Sequence, residues 1–150
     1  MGEMRVVELS ASTIVAVNAL SLRPGQEQFV APVSYSVAAA VTNPATTWQR
    51  VVLDGDDVVG FVQGNFDHEG MDEYFQSVLW RINVDAEAQR QGVGKFAVDA
   101  LAAEARERGF QHINVMYEPG EGGPEQFFLA VGFSPVDETE YGEVVGQLTI

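Results

Sequence analysis

The sequence predicts an α/β fold, a mixed sheet flanked by helices, and three observations carry that expectation. Strand-type segments dominate the middle of the chain, and two of them are joined by a tight turn signal, Asp54-Gly55-Asp56. One amphipathic helix pattern, Gly92 to Arg108, lies between two such segments and makes a strand–helix–strand unit over 78–116. With 150 residues, 46% hydrophobic and 20% charged, the chain has the size and make-up of one globular domain, neither disordered nor collagen-like.

In chain order, Arg5 to Leu9 (RVVEL) is a short strand. Ser10 or Ser12 offers an N-cap for a short helix through Ile14, Val17 and Leu20. Arg23-Pro24-Gly25 breaks the chain, 26–41 is irregular or helical and interrupted by Pro32, and Asn43-Pro44 starts a loop. Trp48 to Leu53 and Val58 to Gln63 form a hairpin, and Asn65 to Glu73 is a polar, acidic connection. Val78 to Val84 is a third strand of that region, β-branched and aromatic. In the 92–108 helix, Val93, Phe96, Ala97, Ala100 and Leu101 share one stripe, Asp99, Arg106 and Glu107 fall off it, and Gly109 supplies the stop. His112 to Met116 is a strand, Gln126 to Val131 a short helix after a Gly/Pro-rich loop, and Val144 to Ile150 a last strand. Trp48, Trp80, Phe127 and Phe133 read as core aromatics, and Arg81, next to Trp80 on a strand, as pointing to the opposite face from it.

The charge balance narrows the function classes. Eight Lys+Arg against 22 Asp+Glu give a net charge of −14. A field of that sign repels nucleic acid and anionic membranes and favours small cationic ligands, although acidity also serves plain solubility. There are no cysteines, so disulfides, thiolate metal sites and cysteine nucleophiles are excluded. The apolar run Ile14 to Val17 is too short for a membrane span, and no basic region followed by an apolar one marks a signal peptide, so the expected address is the cytoplasm.

The most informative stretch is Gln89-Arg90-Gln91-Gly92-Val93-Gly94-Lys95, which follows a strand and opens a helix. The first turn of a helix has N–H groups without intrahelical partners, the dipole adds positive potential there, and glycines let the backbone approach an anion. Arg81, Arg90 and Lys95 put three of eight basic residues within fifteen positions of one another. That combination suits a phosphate or pyrophosphate, and the alternative is a glycine-eased helix start with no ligand. The spacing of a Walker P-loop is missing, and a dinucleotide fingerprint would need a third glycine where Ala97 stands.

Gln89-Arg90-Gln91-Gly92-Val93-Gly94 resembles the acetyl-CoA signature Q/R-x-x-G-x-G/A of the GNAT N-acetyltransferase superfamily, in the same place between strand and helix. The likeness extends to Asp57-Val58-Val59-Gly60-Phe61-Val62, to Leu79-Trp80-Arg81-Ile82-Asn83-Val84-Asp85 and to the segment from Gly123-Pro124-Glu125 to Gly132-Phe133. With Gln28-Phe29-Val30-Ala31 and Tyr141-Gly142-Glu143, the chain is similar to a bacterial spermine/spermidine-type branch. The resemblance implies a single acyltransferase domain over residues 1–150, with a mixed, mostly antiparallel sheet of six to seven strands. It implies acetyl-CoA as co-substrate, with pantetheine amides on the backbone of Ile82, Asn83 and Val84 and the pyrophosphate on amides of Gln91 to Lys95, beside Gln89 and Arg90. It also implies two strands splayed apart, a cleft between 82–85 and 113–118, and an amine acceptor entering from the side opposite the cofactor. Members often dimerise, which leaves a homodimer open.

Direct attack on the thioester needs a neutral amine, and alkyl ammonium groups have pKa values near ~10, so a group must accept a proton. The family's general-acid tyrosine, four residues before the Gly-Phe pair, is replaced here by Phe128, which has no proton to give. Three readings stay open: a slower enzyme, a substitute acid such as Tyr117 or a water, or an acyl-CoA-binding fold that has lost catalysis. Tyr117 and Glu118 are the catalytic candidates, and Glu27, Asp67, Asp72 and Glu73 the candidates for binding a cationic substrate. Asp67, Glu69, Asp72 and Glu73 serve equally as a solvated loop, while Glu118 and Glu121 border the acceptor side in the family fold. The two histidines lack metal-ligand spacing, so no metal is expected; His112 reads as structural and His68 as structural or substrate-binding.

Overall fold

The computed structural model describes residues 4–20, 45–70, 73–85, 92–120 and 124–150. The strands are β1 (Met4–Val7), β2 (Thr47–Asp54), β3 (Asp57–Phe66), β4 (Ser77–Val84), β5 (His112–Tyr117), β6 (Ser134–Glu138) and β7 (Val144–Thr149). The helices among the described residues are α1 (Ile14–Asn18), α2 (Val93–Glu107) and α3 (Glu125–Ala130), and a 3₁₀ turn, Glu73–Phe75, precedes β4. The expected region 26–41 lies outside the described residues.

The strands form one sheet in the order β1-β2-β3-β4-β5-β7-β6, antiparallel throughout except between β4 and β5. Alternation of apolar side chains sends Val62, Leu79, Ile113 and Val115 to the face covered by α2, where Val98 and Leu101 meet them. Val51, Leu53 and Phe61 point to the other face and pack on Val17 of α1. Leu101, Ile113 and Phe61 are fully buried, each worth about 1.5–3 kcal/mol of burial.

Four local expectations are corrected. Strand β6 was not foreseen, because Pro135 and two acids break the pattern; all five of its residues are exposed, and it is an edge strand, where proline is tolerated. Helix α1 starts at Ile14 with Thr13 as N-cap, not Ser10 or Ser12, and Ser10 instead accepts the Thr13 and Ile14 N–H groups through its carbonyl. Trp80 is 37% exposed and not in the core. The cause is a bulge: Gln63 faces Arg81 and Gly64 faces Leu79, so Trp80 is an extra residue without a partner on β3. The bulge also defeats the expected opposition of Trp80 and Arg81, since the Arg81 guanidinium lies 5.3 Å from the Trp80 ring centroid and donates to the Trp80 carbonyl at 2.7 Å.

Candidate functional site

Strands β4 and β5 share one ladder pair, Val78 with Asn114. The Asn114 carboxamide strengthens that closed end: it donates to the carbonyls of Tyr74 and Ser77 and accepts from Gln147 Nε2 at 3.0 Å. Beyond it the strands form no further ladder pair, so a gap runs towards Val84 on one side and Tyr117 on the other.

The ladder with β3 decides which backbone groups face the gap. The Asp85 N–H donates to the Val59 carbonyl at 2.9 Å, and the alternation of an antiparallel pair then points the N–H and C=O of Asn83 at Phe61. The corresponding groups of Ile82 and Val84 are directed to the β5 side. Of the three backbones expected to meet a cofactor, Asn83 is therefore turned away.

Helix α2 begins beside this open end, where Val93 packs in the core. Gly92 is its N-cap at φ 84°, a left-handed conformation that glycine adopts without strain. No hydrogen bond among the described residues takes up the N–H groups of Val93, Gly94 or Lys95; the helix ladder starts with the Phe96 N–H on the Gly92 carbonyl. A Cβ at Gly92 would meet nothing within 4 Å, whereas one at Gly94 would fall 2.6 Å from Phe127 Cε1. Gly94 therefore makes room for an aromatic ring of α3. Lys95 is half of an exposed ion pair with Asp99 at 2.9 Å.

Two buried polar atoms at the open end lack a hydrogen-bond partner, Asn83 Oδ1 and Tyr117 Oη. Such a group ordinarily costs about 1–3 kcal/mol. Tyr117 is 3% exposed, and its ring lies 5.3 Å from that of Phe128, which also packs against Phe127 and Phe133. Burial, and then the charge of Glu125, raise the Tyr117 pKa above its ordinary value, so the phenol keeps its proton at neutral pH. Ile113, Val115 and Tyr117 face α2; Glu118, just past the strand, is exposed.

The structure brings Ile82, Val84, Gly92, Val93, Gly94, Lys95, Tyr117, Glu118 and Phe128 to the open end of the gap or the start of α2. Asp67 and Glu73 are not part of that grouping. They lie in the connection between β3 and β4, next to the closed end, and the six residue steps from Ser77 to Asn83 span about 20 Å. The Asp67 carboxylate accepts the Glu69 N–H at 3.0 Å within that connection. His68 Nε2 lies 2.6 Å from the Arg108 carbonyl at the end of α2, and its ring stacks on Phe110 at 3.9 Å, contacts that fit its structural reading. His112 is exposed at the start of β5, also at the closed end. Glu27, Asp72, Gln89, Arg90, Gln91 and Glu121 lie outside the described residues. Sequence reasoning missed the Asn83 side chain; its signal was a lone carboxamide between two β-branched residues, Ile82 and Val84.

A family model described as the acetyltransferase (GNAT) family matches residues 17–133. No curated protein matches significantly. Among solved structures, the GNAT domain of S. lividans PAT superposes with a TM-score of 0.77 at 15% identity, covering 98% of this chain and 90% of that one. The PaiA N-acetyltransferase of Thermoplasma acidophilum, solved with coenzyme A, gives 0.73 at 9% identity and 99% coverage of both chains. The ribosomal-protein-S18-alanine N-acetyltransferase of Escherichia coli gives 0.70 at 16% identity, covering 99% of this chain and 94% of that one. At these identities the superpositions establish a common fold. Among the described residues, no helix is long and apolar enough to cross a membrane.

Proposed function

The chain belongs to the GNAT acetyltransferase family, and from that premise we propose that it moves an acetyl group from acetyl-CoA to a primary amine of a small cationic acceptor, polyamines and diamines first. The observation that carries the proposal is the single-rung contact of β4 with β5, which leaves a gap beside unpaired N–H groups of the α2 first turn. The net charge of −14 favours a cationic acceptor over an anionic one. The proposal includes one domain over residues 1–150 and a cytoplasmic address.

The residues present fit the thioester. The first-turn amides of α2, from Gly92 to Lys95, hold the pyrophosphate, with Gln89, Arg90 and Gln91 completing the loop. The main-chain groups of Ile82, which face the β5 side, align the pantetheine arm as a strand would, next to Val84. Glu118, exposed at the end of β5, takes the proton of the attacking ammonium directly or through water. Tyr117 Oη, protonated at neutral pH and without another partner, gives its proton to the departing thiolate.

A second reading rests on Phe128, which is 4% exposed inside an aromatic cluster and offers no proton. On that reading the chain binds acyl-CoA and turns over weakly or not at all. A thermal-shift titration with acetyl-CoA and a thiol-release assay with spermidine, putrescine and amino acids separate the outcomes. A melting-temperature rise with acetyl-CoA and amine-dependent thiol release support the enzyme. A rise without turnover supports the second reading, and no shift at millimolar acetyl-CoA overturns both.

A further inference from the structure

Asn83 presents a buried acceptor that the fold does not use. The residue is 2% exposed, and Oδ1 has no hydrogen-bond partner. Its backbone is directed at Phe61, so the strand already satisfies the main chain at this position. Its side chain lies on the face opposite α2: the flanking Ile82 and Val84 pack against the α2-side core, and its ladder partner Phe61 packs with Val17 of α1. Asn83 thus stands level with the two residues whose main chains face the gap, but on the reverse side of the strand.

A carboxamide oxygen accepts and does not donate, so what completes it is an N–H or O–H donor. The two orphan atoms have opposite capacities. Tyr117 Oη carries a proton and faces α2; Asn83 Oδ1 can only accept and lies on the other face. An amine attacking the thioester carbonyl brings N–H groups that need an acceptor while its lone pair is directed at carbon. We propose that Asn83 Oδ1 accepts a hydrogen bond from the acceptor's reacting nitrogen and so orients its lone pair. This deepens the proposed acetyl transfer and rests on it. Asn83 is here a substrate-positioning residue.

The neutrality of the amide matters for the chemistry. A carboxylate at the same point would stabilise the ammonium form and raise the amine's pKa, tightening binding while removing the nucleophile. A carboxamide oxygen accepts from the neutral amine without that bias.

The test uses Asn83→Leu and Asn83→Asp in the full chain, with acetyl-CoA and spermidine, or with whichever amine of the panel the wild type acetylates fastest. Asn83→Leu removes the orphan acceptor at similar volume, so its melting temperature stays level or rises and its KM for acetyl-CoA is unchanged. Its kcat/KM for the amine falls about 10- to 100-fold. Asn83→Asp lowers the amine KM, lowers kcat at pH 7 and moves the acidic limb of the rate profile to higher pH. A wild type that acetylates amines alongside an Asn83→Leu variant with unchanged amine kinetics overturns this inference alone. A wild type that binds acetyl-CoA but acetylates no amine overturns the enzyme reading and this inference with it. If Asn83→Leu fails to fold, the pH profile of Asn83→Asp decides, and an unshifted acidic limb overturns the assignment.

Discussion

The ring of Phe127 occupies the space that a side chain at position 94 would need, with Phe127 Cε1 only 2.6 Å and Cζ 2.9 Å from where a Cβ would stand. The first turn of α2 and the helix α3 are therefore fitted to each other through the absence of one methyl group.

Gly94→Ala should destabilise the fold by about 1–3 kcal/mol, as overpacking does. Denaturant unfolding measures it. Adding Phe127→Leu should recover part of the loss, and a purely additive double mutant would show that the two positions do not compete for the same space.

Tyr117→Phe should lower kcat by about 10²-fold or more and leave acetyl-CoA binding within error, because the hydroxyl has no structural partner to lose. Because burial raises the pKa of this phenol, the folded state binds its proton more tightly than the unfolded state does. The stabilisation is therefore fully present below the ordinary tyrosine value of about 10 and is lost as pH rises beyond it. Denaturation midpoints between pH 9 and 11 should fall more steeply for the wild type than for Tyr117→Phe.

Asp137 on β6 accepts the Glu138 N–H at 2.8 Å and the Tyr74 hydroxyl at 2.9 Å, and these bonds hold its carboxyl below the usual aspartate range. The associated stability is present above the ordinary aspartate pKa and is lost as pH falls through the depressed value. Tyr74→Phe should move the Asp137 titration upward, which an NMR pH titration reads residue by residue. No movement would show that the Glu138 N–H alone accounts for the shift.

His68→Ala should cost about 1–2 kcal/mol through the lost bond to the Arg108 carbonyl and the lost stack on Phe110, with acetyl transfer per folded molecule unchanged. A selective rise in amine KM would instead give His68 a place in substrate binding.

Elements with strong local signals were legible in the sequence. The stripe through Val93, Ala97 and Leu101 placed α2 within one residue at its start, and Asp54-Gly55-Asp56 placed the β2–β3 turn, where Gly55 has φ 62°. The start of α2 was legible because Gly92, after a strand, allows the left-handed turn that it adopts as N-cap. What escaped depended on neighbours distant in sequence. The exposure of Trp80 follows from a bulge set by pairing with Gln63 and Gly64, and β6 exists because Val144–Thr149 offers it an edge. The separation of Asp67 and Glu73 from the open end reflects which end of β4 the β3–β4 connection adjoins, a fact of topology and not of charge spacing. The orphan state of Asn83 likewise appears only once both faces of the strand are packed.

The sheet is joined across its middle by one ladder pair, with β1 to β4 on one side and β5, β7 and β6 on the other. Its interior seam carries main-chain groups that an extended guest can complete, as an added strand completes an exposed edge. A guest seated there is a tie between the halves as well as a reactant. Amide exchange at Ile82, whose main chain faces the seam, should slow when the seam is filled, before any chemistry takes place.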